Sequence, residues 1–187
     1  MEEYENAINC YDECIDGEEK INLHAMIAKA KFMYKINGDI NTAIEILKKV
    51  IAKDLGISSG RLELGRLYID IQQYKLAEEQ YDEIIKGNND HLVAHLELGR
   101  LYVVEGNLES ARNCFLKCMK LDNNNLCIKI EMARLCAMQG DTKNAIKYYT
   151  EIIEEDPSFE DAQLELDTLM KGQSKNTPPP PPPGGRE

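Results

Sequence analysis

Three sets of side chains in this sequence have the spacing to act together chemically. Cys10 and Cys14, and likewise Cys114 and Cys118, stand four residues apart, which puts each pair of thiols on one helix face. His91 and His95 repeat that spacing with imidazoles. Such pairs can begin a metal site, but a closed zinc site takes four ligands and no column of thiols or carboxylates joins either set. Free cysteine packs as a small hydrophobe, so the cysteines read as packing residues of a reduced chain, and the histidines as surface or packing residues. The third set is a column of glutamates, Glu63, Glu97, Glu131 and Glu165, with Arg66, Arg100 and Arg134 each three residues after a glutamate. Glutamate and arginine at i,i+3 pair along a helix, and a guanidinium fork can also hold a ligand's carboxylate or carbonyl. There is no H-E-x-x-H, G-x-S-x-G, P-loop or dinucleotide fingerprint, and Gly56-Ile57-Ser58-Ser59-Gly60 is a loop before a helix, not a phosphate cradle. We expect no catalysis, no metal and no cofactor.

These columns are set by an internal repeat. Leu-Glu-Leu-Gly-Arg-Leu-Tyr occurs at 62–68 and again, unchanged, at 96–102, an offset of 34 residues; Ile-Glu-Met-Ala-Arg-Leu-Cys follows at 130–136. The same period links Ala43, Ala77, Ala111 and Ala145; then Leu47, Tyr81, Phe115 and Tyr149; then Val50, Ile84, Cys118 and Ile152. A further column runs Tyr34, Tyr68, Tyr102 and Cys136. Apolar spacings of three and four predict two amphipathic helices per period. Gly38-Asp39, Gly106-Asn107 and Gly140-Asp141 separate them, glycine ending one helix in the left-handed conformation and Asp or Asn capping the next. Only the period around Gln72-Gln73 lacks that signal.

The chain has 187 residues, 43% of them apolar, and a net charge of −11. Six of its seven prolines are consecutive, Pro178 to Pro183, so the body is nearly proline-free and reads as helical. No run of 18 apolar residues is present and the start is acidic, so a soluble, cytoplasmic chain without membrane insertion is expected. Charge is uneven: residues 1–20 carry −7 and residues 151–167 carry −8, while 21–150 carry +2. Without a basic stripe to displace counterions from phosphate, nucleic acid is not an expected partner.

On the Leu64-Gly65, Leu98-Gly99 and Met132-Ala133 pairs, Tyr68 and Tyr102, the small Ala77, Ala111 and Ala145, and the aromatic Tyr81, Phe115 and Tyr149, the sequence resembles the tetratricopeptide repeat (TPR) family. The family's closing proline is present once, at Pro157, and Lys31 stands where a small residue is expected. The resemblance implies an all-α TPR solenoid, a right-handed superhelix of antiparallel helix pairs. Its expected parts are an N-terminal half repeat at 1–23, repeats at 24–57, 58–91, 92–125 and 126–159, a capping helix at 160–171, and a Pro-rich tail at 172–187 outside the fold. The unmatched first half repeat suggests a fragment of a longer array, with a lone capping helix as the alternative.

By the same resemblance the first helix of each unit lines a concave groove that takes a peptide or a partner's helix. The residues expected there are Glu63, Arg66, Ile69, Glu97, Arg100, Val103, Val104, Glu131, Arg134 and Met138, with Val93 and Ala137 beside them. The carboxylate clamp of co-chaperones is not built: its columns hold Leu62, Arg66, Glu97, Cys127 and Glu131 here, or Ala28, Phe32, Glu63, Val93 and Glu97 one unit earlier. The expected function is a protein–protein interaction scaffold. The alternative is a self-assembling homo-oligomer in which groove or end helices meet another copy, with the proline tail as a ligand.

Overall fold

The computed structural model describes residues 19–174, with side chains from Leu23 to Lys171 except that of Asn37. Residues 1–18, most of the half repeat expected at 1–23 and with Cys10 and Cys14, and residues 175–187, most of the tail expected at 172–187, lie outside the described residues. Within them the structure is all helix: α1 (Glu19–Asn37), α2 (Ile40–Lys53), α3 (Ser58–Asp70), α4 (Tyr74–Gly87), α5 (Leu92–Val104), α6 (Leu108–Leu121), α7 (Leu126–Met138), α8 (Thr142–Glu155) and α9 (Glu160–Ser174). From α3 on, the odd-numbered helices begin at Ser58, Leu92, Leu126 and Glu160, in the register of the sequence repeat. The even-numbered ones keep the same register, beginning at Ile40, Tyr74, Leu108 and Thr142. The fold is an all-α TPR solenoid. It divides into two compact units, one ending at Lys117 and one beginning at Cys118.

The two helix types differ because their surroundings differ. Even-numbered helices bury one stripe: Ala43, Leu47 and Val50 in α2, Ala77, Tyr81 and Ile84 in α4, Ala145, Tyr149 and Ile152 in α8. Helix α3 instead packs against α1, α2, α4 and α5. A helix enclosed on several sides is apolar nearly all round, as α5 is, with Ala94, Leu96, Leu98, Gly99 and Leu101 buried. In the first unit one cluster runs from Leu23 to Leu101. In the second, Ile130, Ala133, Cys136, Ala145, Tyr149, Ile152 and Ala162 form another.

Two positions in the first unit need glycine because a ring lies on them. A Cβ at Gly65 would stand 2.5 Å from Cε1 of Tyr81, and one at Gly99 2.5 Å from Cε1 of Phe115. Lys31 holds the same column in α1. Its side chain is exposed, and the opposing residue of α2 is Leu47 rather than an aromatic.

The turns inside the helix pairs follow the expected chemistry. Gly38, Gly106 and Gly140 have φ of 66°, 77° and 76°. Asp39 and Asp141 cap α2 and α8 by accepting from the Thr42 and Asn144 amides, and Asn107 accepts from the Ser110 amide. The pair without a glycine makes the same turn. Gln72 adopts φ 60°, its N–H reaches Ile69 O at 2.9 Å, and the Gln73 N–H reaches Tyr68 O at 2.8 Å. This is the bonding that Gly106 and Asn107 make to Val103 and Tyr102. The left-handed conformation costs a non-glycine residue about 1–2 kcal/mol, while glycine loses about 0.4–1 kcal/mol through the freer unfolded chain. Gln72→Gly is therefore expected to stabilise the protein by roughly 0.5–1 kcal/mol in urea denaturation. A loss of stability would show that the Gln72 side chain contributes more than its backbone strain costs.

Candidate partner-binding face

The glutamate–arginine columns come together as ion pairs within each unit. In the first unit Lys31 Nζ lies 2.9 Å from Glu63 Oε1, and the same oxygen accepts from Arg66 Nη1 at 2.9 Å. Arg66 Nη2 crosses to α5 and donates to Glu97 Oε1 at 2.6 Å, which also meets Arg100 Nη1 at 3.4 Å. In the second unit Arg134 Nη2 donates to Glu165 Oε1 at 2.5 Å and Nε to Oε2 at 3.1 Å, a bidentate fork. Glu131 on its own helix is 3.8 Å away. The i,i+3 pairing expected from the sequence is thus the longer contact. Arg66 and Arg134 each reach most closely the glutamate of the following odd-numbered helix, Glu97 and Glu165, which ties one such helix to the next.

The electrostatics follow. Burial works against the Arg66 charge, but the hydrogen bond and charge of Glu97, with Glu63, outweigh it and raise its pKa. The hydrogen bond to Glu165 raises that of Arg134 against its partial burial. Burial pushes the Glu165 carboxyl upward, yet donation from Arg134 and from the Tyr149 hydroxyl, 2.8 Å away, leaves it below the usual range. Glu97 is the most enclosed of the carboxylates, its side chain only 9% exposed against 41% for Arg66. It serves as a joint within the protein more than as a group open to a ligand. Lys31 is the member of these ion pairs that sequence reasoning passed over; its column predicts a small residue, and only the proximity of α1 to α3 gives it a carboxylate.

Beside the charges lie the apolar residues of the expected face. Ile69 and Val103 are half-buried, and Val104 is 55% exposed at the end of α5. Val93 is also exposed, and in the second unit Met138 is 56% exposed next to half-buried Ala137.

The other chemistry-bearing residues have local partners. His91 caps α5, its Nδ1 accepting from the Ala94 amide at 3.2 Å, and His95 Nε2 lies 2.9 Å from Asn89 O. Cys118 and Cys136 are buried, and burial pushes the Cys114 thiol up to about 11, away from reactivity. Among the described residues no three His, Cys, Asp or Glu side chains are placed to hold a metal ion, and no helix is long and apolar enough to cross a membrane.

Comparison with known proteins agrees with the fold. Residues 92–125 and residues 132–158 each match a tetratricopeptide repeat family. A thermophilic TPR protein of Thermus thermophilus superposes with a TM-score of 0.75 at 18% identity, over 90% of this chain and 91% of that one. MamA from Desulfovibrio magneticus gives 0.68 at 20% identity over 83% and 87%. YrrB, a TPR protein with an unusual peptide-binding site, gives 0.63 at 17% identity over 89% and 84%. The sequence has no significant match among curated proteins.

Proposed function

We propose that the chain, two stretches of which match tetratricopeptide repeat families, is a non-catalytic protein-interaction scaffold that takes a peptide segment or a partner's helix on the odd-numbered helices of its first unit. The observation that carries this reading is exposed Val104 with half-buried Ile69 and Val103, each three or four residues after an arginine whose charge is paired. Exposed aliphatic side chains next to a charge-satisfied surface are favourable to cover, because the partner gains apolar burial without stripping water from an unpaired charge. Met138, Glu131 and Arg134 repeat the same pattern in the second unit. Assembly with another copy is the second reading.

The test uses the full chain and 12-residue peptides selected against it from a random display library. Val104→Glu is expected to weaken a selected peptide by about tenfold or more, through lost apolar contact and an added charge. Leu116→Glu, a comparably exposed position on the even-numbered helix α6, is expected to leave affinity unchanged. If Leu116→Glu weakens binding and Val104→Glu does not, the odd-helix face is not the binding surface.

A further inference from the structure

The last helix carries the pattern of a repeat's first helix, and no second helix follows it among the described residues. In α7 the residues Ile130, Met132, Leu135 and Cys136 are all buried, and α8 packs on that helix. The 34-residue register puts Leu164, Leu166, Leu169 and Met170 of α9 in the same four columns, and all four are apolar. Here Leu164 is 68% and Met170 51% exposed, while Leu166 and Leu169 are half-buried. A helix that only closes a solenoid needs a polar outer face; α9 keeps apolar residues at the core columns instead. The register would begin a second helix at Asn176, but Pro178 to Pro183 follow, and proline lacks the N–H that a helix interior needs.

The same surface is acidic. Glu160, Leu164, Asp167 and Met170 are spaced by four and three, which sets them along one side of α9, and all four are exposed. Asp167 stands in the column that Ala133, fully buried, holds in α7. Its carboxylate accepts from Gln163 Nε2 at 3.0 Å, a neutral donor that leaves the charge in place. The helix carries Glu160, Asp161, Glu165 and Asp167 against one base, Lys171, a turn beyond Asp167; four acids less one base is a net of −3. Of these acids, Glu165 is already matched by Arg134.

We propose that α9 docks a basic amphipathic helix of a partner protein, which takes the place of the missing second helix and sets a lysine or arginine against Asp167. The helical form follows from the columns, since Leu164, Leu166 and Met170 repeat the positions that a second helix covers in the preceding pair. The basic character follows from the charge. In the first unit a ring lies on this column, as Tyr81 does on Gly65. A ring over Asp167 would strip water from a carboxylate and give nothing back, whereas a cation there answers it. This surface belongs to the second unit and stands or falls independently of the binding face of the first.

The probe is an acetylated and amidated peptide of residues 40–53, this chain's own second helix α2, carrying Leu47→Lys; position 47 shares the column of Tyr81. The comparison peptide carries Leu47→Glu. Each is titrated into the ¹⁵N-labelled full chain. Chemical-shift changes are expected at residues 160–171, with the lysine peptide binding about fivefold more tightly than the glutamate peptide. Leu164→Gln together with Met170→Gln, both at exposed positions, should weaken the lysine peptide about tenfold by removing apolar area. Asp167→Lys should reverse the preference between the two peptides, and it decides the matter if the double variant does not fold. Glu154→Lys makes the same change of charge at an exposed position of α8 and should leave the preference as it is. Shifts confined to other helices, a preference unchanged by Asp167→Lys, or one that Glu154→Lys reverses equally, overturn the proposal. So does concentration-dependent self-association of the full chain in sedimentation velocity that the double variant abolishes, because the occupant is then a second copy.

Discussion

Gly65→Val is expected to cost about 3 kcal/mol or more of folding stability, among the largest effects of any single substitution in the first unit. The added Cβ would stand 2.5 Å from Cε1 and 2.7 Å from Cζ of Tyr81. Those are ring atoms of a fully buried side chain, with no exposed end to swing aside. The ring and the helix backbone must therefore separate. The gain in helix propensity on replacing glycine, less than about 1 kcal/mol, does not offset that separation. The first helix pair shows how the conflict can be relieved, since Lys31 is tolerated opposite Leu47. Tyr81→Leu in the Gly65→Val background should accordingly recover part of the loss, with a coupling of at least about 1 kcal/mol in a double-mutant cycle. Tyr81→Phe alone should be neutral or stabilising by up to about 1 kcal/mol, because the Tyr81 hydroxyl is buried without a hydrogen-bond partner and Phe115 fills the same column without one. Urea denaturation of the four cycle members is the measurement. Strict additivity of Gly65→Val and Tyr81→Leu would refute the ring-over-glycine account.

Glu97→Ala is expected to cost about 2 kcal/mol, and the loss should persist in high salt. Its carboxylate is almost excluded from water and receives Arg66 and Arg100. Removing it takes from two guanidiniums the carboxylate they share. Breaking a fully buried pair costs about 3–5 kcal/mol; both arginine side chains here are 41% exposed and can regain water, which lowers the figure. Glu97→Gln keeps an acceptor oxygen and should fall between alanine and the parent. Lys86 and Glu83 make an equally short contact of 2.6 Å with both side chains well exposed, and Glu83→Ala should not move the denaturation midpoint. Such a pair exchanges hydration for a screened attraction and gains little. Comparing the two variants at low and at about 1 M salt separates the cases. Equal, salt-sensitive losses would mean that Glu97 is in effect a surface charge.

The repeat register, the two helix types, the glycine turns and the core columns were all legible in the residues. Each rests on local rules repeated in phase. Spacings of three and four fix a helix face, glycine permits the positive φ at Gly38, Gly106 and Gly140, and Asp39 and Asp141 cap the helices that follow. The glutamate and arginine columns were visible for the same reason. Their pairing was not. From sequence Arg66 has Glu63 one helical turn before it, and no local rule ranks Glu97, on a separate helix, as the closer partner; the distance between α3 and α5 decides that.

Gln72 shows the same division. Its type argues against the turn, yet the docking of α3 on α4 closes the chain there, and the tertiary contacts impose the left-handed backbone that the residue would not choose. Lys31 read as a flaw in the first repeat. Only the packed structure turns it outward to Glu63. A sequence composed of near-identical units specifies what recurs in every unit, because recurrence is where local preference and packing agree. The tertiary structure decides where one unit departs from the rest, because the consequence of a substitution depends on which neighbouring helix is within reach of it.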